Sequence, residues 1–118
     1  MSKERDLRAR TKSFALCVIR LINSLKRNIS NITISRQLIR SATSVGANYL
    51  AACHAKSKLD FLNKLKIVEE EIIETRYWLE LLLETNTDMA SSISSTIKET
   101  DELTAIFISS IKKVKKTL

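Results

Sequence analysis

Between residues 58 and 84 the core-forming side chains recur at steps that alternate between four and three: Phe61, Leu65, Val68, Ile72, Thr75, Leu79 and Leu82. A period of 3.5 lays one continuous seam along a helix and favours shallow, left-handed crossing of its neighbours. A β-strand cannot carry that pattern, because its side chains change face at every residue. The rest of the chain follows the same rule. Residues of about 5–27 place Leu7, Phe14, Cys17, Val18, Leu21 and Leu25 on one side, and residues of about 32–55 run Ile34, Leu38, Ala42, Val45, Tyr49, Ala52. A last segment, about 88–116, shows Ile93, Ile97, Thr100, Leu103, Phe107, Ile111 and Val114, with Leu118 beyond it. One Gly and no Pro in 118 residues leave little to interrupt these runs. The expected fold is all-α, an antiparallel up-down-up-down left-handed four-helix bundle forming a single domain over 1–118.

The joints carry their own signals. Asn28-Ile29-Ser30-Asn31 offers turn and cap residues, and its two glycosylation-like triplets read more simply as a polar loop. Ser57 with Asp60 three residues later forms a capping-box variant ahead of the third helix. Thr85-Asn86-Thr87-Asp88 breaks that helix, and the Ser/Thr-rich run from Ser91 to Thr100 lowers helix propensity, so fraying or loose packing is expected there.

No apolar run is long enough to span a membrane, and the charged start MSKERDLRARTK lacks the features of a secretory signal, so a cytoplasmic protein is expected. Cys17 and Cys53 both lie on apolar faces and are expected as buried free thiols rather than a disulfide. Neither has an evident base, and the lone His54 cannot build a triad or a zinc site. The reading is therefore non-enzymatic, with no cofactor and no metal.

Charge is the feature with functional content. Residues 1–58 hold twelve Lys or Arg and two acids, whereas residues 59–85 hold three and seven, within a total of +7. A basic surface beside an acidic one suits a polyanion partner or head-to-tail contact between identical subunits. Nucleic-acid binding through phosphates is the sharper expectation, with Arg5, Arg8, Arg10, Lys12, Arg20, Arg36 and Arg40 as contacts.

Three constellations remain. The small residues from Ser41 to Ala47, with the only glycine, Gly46, among them, let another helix approach closely. Glu71 and Glu74 interrupt the stripe Ile67, Glu71, Glu74, Trp78, Leu81 and read as structural acids that need a partner, which Arg40, Arg36 or Asn48 could supply. Tyr77 and Trp78 read as core or interface aromatics.

Taken together, RSATSVGAN, then Ala55, Ser57, Asp60-Phe61, Lys64-Leu65, Ile67, Glu71, Glu74-Thr75 and Tyr77-Trp78-Leu79 make the chain resemble the bacterial four-helix bundle family of 23S rRNA-intervening-sequence proteins. The resemblance implies a left-handed bundle without known catalytic activity that often assembles as a ring-shaped homopentamer. It also implies relationship to the accessory protein of diversity-generating retroelements, where a basic ring contacts RNA and a reverse transcriptase. Members usually carry Glu directly after GAN, where this chain has Leu50 and Ala51. Two functions are thus expected: an oligomeric bundle binding structured RNA, ribosomal RNA included, or a ribonucleoprotein through its basic surface; or a self-assembling adaptor that contacts a partner enzyme. No membrane partner is expected.

Overall fold

The computed structural model describes the backbone from residue 3 to residue 118 and the side chains from residue 7 onward. Four helices follow one another: α1 (Lys3–Ser24), α2 (Ile29–Cys53), α3 (Lys58–Thr85) and α4 (Ala90–Lys116), with a single 3-10 turn at Thr87–Met89 before α4. Pairs that meet across neighbouring helices run in opposite chain directions. Asn31 meets Asn86 and Ser41 meets Thr75 across α2 and α3, while Arg76 meets Asp101 and Lys58 meets Thr117 across α3 and α4. The helices are therefore antiparallel. α1 touches α2 and α4, α3 touches the same two, and α1 and α3 lie diagonally opposite. The body measures 47 × 24 × 19 Å, close to one helix length in its long direction.

The core is built from the stripes. Phe14, Val18, Leu38, Val45, Leu65, Val68, Ile72, Leu79, Leu103 and Phe107 are all buried, and the edge of the Tyr49 ring meets Phe107 at 5.5 Å. On α1 the stripe differs from the expected one at Thr11 and at Cys17. Thr11, Phe14, Val18 and Leu21 are buried at steps of three and four, which puts Cys17 one residue out of phase and exposed, not buried. Thr11 tolerates its place because its hydroxyl donates back to the Leu7 carbonyl at 2.7 Å. Cys53 is half-buried against the core, and both thiols are free.

Gly46 explains how α1 and α2 close on each other. A Cβ there would lie 3.3 Å from Thr11 Oγ1 and 3.4 Å from Thr11 Cβ, tighter than ordinary contact. Its backbone is ordinary helix, so the glycine serves close approach and not an unusual turn.

The first joint is displaced from its expected place. α1 ends at Ser24 and α2 already starts at Ile29, because the Asn28 side chain accepts from Asn31 N at 2.8 Å and caps the helix. The stretch expected as a polar loop is a cap and a first turn. Ser57 caps α3 by accepting from Asp60 N, and Asp60 in turn accepts from Lys56 N and Lys64 Nζ. The expectation of fraying in α4 is overturned. The helix is continuous from Ala90; Ile93, Thr96, Ile97 and Thr100 are buried, and Thr96, Thr100 and Thr104 donate to carbonyls four residues back. Hydroxyls satisfied within the helix remove the competition that lowers their propensity.

Candidate nucleic-acid interface

From residue 7 to residue 59 the chain holds ten Lys or Arg and not one Asp or Glu. That interval covers α1 from its second turn and all of α2, which pack side by side, so over these residues the two helices present no carboxylate. A groove of about 370 Å³ runs between them, floored by Ala15, Gly46, Ala47 and Leu50 and edged by Arg8 and Lys12. At its other end the joint forms a second recess with Lys26 and Arg27 beside Ile32 and Ser35. Arg36 is exposed on α2, seven residues before Thr43 and fourteen before Leu50, which places it on the face that lines the groove.

The seven expected phosphate contacts do not all gather here. Arg8, Lys12 and Arg36 do. Arg20 turns to the α4 side of α1, in a recess with Cys17, Ser92 and Ser95. The side chain of Arg5 lies outside the described residues.

Arg10 and Arg40 are engaged inside the chain. Arg10 grips Glu99 with two bonds, Nε to Oε2 at 2.9 Å and Nη2 to Oε1 at 2.7 Å, and reaches Glu102 at 3.4 Å. Hydrogen bonding to Glu99 raises the pKa of Arg10 further above its ordinary value. Arg40 spans α2 to α3, donating to Glu71 Oε2 at 3.1 Å and to Glu74 Oε1 at 2.5 Å. Trp78 Nε1 also donates to Glu74 Oε1, at 3.1 Å. The Arg40 bond, aided by Trp78, lowers the Glu74 carboxyl below its usual range against an opposing effect of burial. Both structural acids thus converge on one of the three partners that sequence offered.

These two arginines have an electrostatic role different from phosphate contact. Each sits at a flank of the α1–α2 face and offsets one of the two negative charges nearest to it, pairing with Glu99 and Glu102 on one side and with Glu71 and Glu74 on the other. The field of the cations between them is therefore opposed by one net negative charge at each flank instead of two. Lys26 and Arg27, absent from the sequence-based candidates, belong to this face. The unbroken acid-free interval was the signal that included them. Leu50 fits the same logic, since an acid in its place would share a groove with Arg8 and Lys12.

The aromatic pair sits elsewhere. Trp78 is half-buried against the core, Tyr77 is 54% exposed, and their rings meet edge-on at 5.0 Å. Among the described residues, no helix is long and apolar enough to cross a membrane.

No curated protein matches the chain. A crystal structure of a protein of unknown function from the S23 ribosomal protein family of Bacteroides thetaiotaomicron VPI-5482 is similar at 35% identity and a TM-score of 0.82, over 94% of this chain and 99% of that one. The family model for 23S rRNA-intervening sequence protein matches residues 3–109, which span all of α1, α2 and α3 and most of α4. With that extent of match and a relative of nearly equal length and like fold, the chain belongs to the 23S rRNA-intervening sequence protein family.

Proposed function

We propose that this protein is a non-enzymatic, self-associating helical bundle that binds structured RNA, alone or within a ribonucleoprotein, through its α1–α2 face. The observation that carries the reading is the carboxylate-free face itself, with Arg8, Lys12, Lys26, Arg27 and Arg36 disposed along about 28 Å of helix. Cations spread over that length suit successive phosphates, and flanks whose acids are half offset by arginine oppose their field less. The contact is to backbone and shape, since the groove floor offers apolar and small side chains and few base-reading groups. A fragment of large-subunit ribosomal RNA should bind in 50 mM salt and weaken by at least tenfold at 200 mM, as measured by filter retention. Undetectable binding at low salt, or binding indifferent to salt, would sink the proposal.

A second reading, a protein-interaction adaptor, draws on a different surface. Ile73 and Tyr77 stand 57% and 54% exposed, one turn apart on the outer side of α3, where an apolar pair of that size suits a protein contact.

A further inference from the structure

We propose that the α1–α2 groove holds the base of one unpaired nucleotide of the bound RNA, with the phosphates on either side of that base on Arg8 and Lys12. The proposal rests on the α1–α2 RNA reading and narrows its ligand to an RNA with a bulged or looped-out nucleotide, in place of an unbroken duplex.

The groove has an apolar interior and a cationic edge. Ala15, Ala47 and Leu50 supply carbon surface, and Gly46 adds no side chain. The two hydroxyls that line it donate to their own helices, Thr11 to Leu7 O at 2.7 Å and Thr43 to Ile39 O at 2.6 Å. A ligand inside therefore finds contact surface and no hydroxyl proton turned toward it. The face of a base is suited to such a place. A phosphate is not, since it would give up its water without a replacement. The anionic part of the ligand belongs at the rim, where Arg8 and Lys12 stand one helical turn apart, about 6 Å along the axis.

Size and charge select the occupant further. A volume of about 370 Å³ lies at the small end of small-molecule sites, roughly 300–1,000 Å³, so it admits one base and excludes a duplex. With no carboxylate between residues 7 and 59, the surroundings favour an apolar group carried by an anion over a neutral one. Leu50 is 48% exposed on this charged face, and a base lying on it would cover that surface. A base that is already unpaired costs least to bring out of the stack, so the groove favours RNA that has one. Its edge is not read, and any of the four bases is admitted.

Two RNA hairpins test this, identical except that one carries a single unpaired adenosine within its stem. In 50 mM salt the full chain should retain the bulged hairpin on filters about tenfold more tightly than the paired one. With 2-aminopurine in place of that adenosine, departure from its stacked neighbours into an aliphatic groove should raise its fluorescence about twofold or more at saturation. Ala47→Phe, at an exposed position of the groove, fills the space and keeps both cations. It should bind the paired hairpin within about twofold of wild type and lose the preference for the bulge. Circular dichroism checks its fold, and Thr43→Leu, exposed on the same wall, replaces it should helix content fall. Equal affinity for the two hairpins, unchanged 2-aminopurine fluorescence, or a filled groove that still prefers the bulge would each overturn the proposal and leave the RNA reading standing. A native mass shifted by Ala47→Phe would assign the groove to a second chain and overturn it as well. Retention of neither hairpin would remove the α1–α2 RNA reading itself, and this proposal with it.

Discussion

Asn31 and Asn86 show what a single polar side chain accomplishes in this bundle. Both are buried, each amide nitrogen donates to the other's carbonyl oxygen at 2.9 Å, and their remaining hydrogens go to Lys26 O and Leu82 O. The pair ties the α1–α2 joint to the end of α3. Replacing Asn31 with Leu removes one partner and leaves the Asn86 amide buried and unmatched, so a loss of about 2–3 kcal/mol is expected in urea denaturation. Asn31→Leu combined with Asn86→Leu should cost clearly less than the two single changes added together, because the orphaned group is gone. Strict additivity would mean the two amides act separately. Their positions were legible in the sequence: Asn31, Leu38, Val45 and Ala52 are seven apart, and Asn86 stands four beyond Leu82. Their burial was not, since a lone Asn beside a turn reads as loop, and only a partner 55 residues away satisfies it. Thr11 and Cys17 reverse in the same way. Apolarity favoured the thiol, yet the helical step and a hydroxyl that bonds its own backbone put the threonine inside.

Helices were easier to read than their ends. The 4,3 seam of α3 is buried at every position from Leu65 to Leu82, because a regular stripe leaves one way to face the core. The starts of α2 and α3 depended on caps, and where the cap was an Asn within other turn-formers, as at Asn28, the boundary moved by a turn. Pairing between elements was open in sequence, since Arg36, Arg40 and Asn48 all fit the two acids of α3. Arg40 makes the clamp, and it gives the α2–α3 contact a pH dependence. The folded carboxyl of Glu74 titrates below its ordinary 4.5, so folding is favoured by its ionised form above that value, and the benefit disappears as pH falls through the lowered one. Wild type should therefore melt slightly above Glu74→Gln at pH 7, and the gap should close as pH falls below 4.5 and through the lowered value. The gap is small because Glu74 and Arg40 remain partly in water. A gap constant through that interval would assign the stabilisation to the shape of the side chain and not to its charge.

At the scale of the whole molecule the question is whether +7 or its arrangement draws the polyanion. Net charge alone treats every cation alike, whereas a face does not. Arg8 edges the α1–α2 groove and Arg20 opens toward α4, yet both are exposed on the same helix and each carries one charge. Each phosphate contact adds about 0.7–0.9 to the slope of log affinity against log salt, so the slope counts contacts, not charge at a distance. Arg8→Ser with Lys12→Ser and Arg36→Ser should flatten that slope by about 2–3, whereas Arg20→Ser should leave it within about 0.3 of wild type. Arg10→Gln tests the flanks. It frees Glu99 and Glu102 beside the face, so binding at low salt should weaken while the slope changes by less than about one contact. If Arg8→Ser and Arg20→Ser alone shifted the slope equally, attraction would follow net charge, and the absence of carboxylates between residues 7 and 59 would have no part in it.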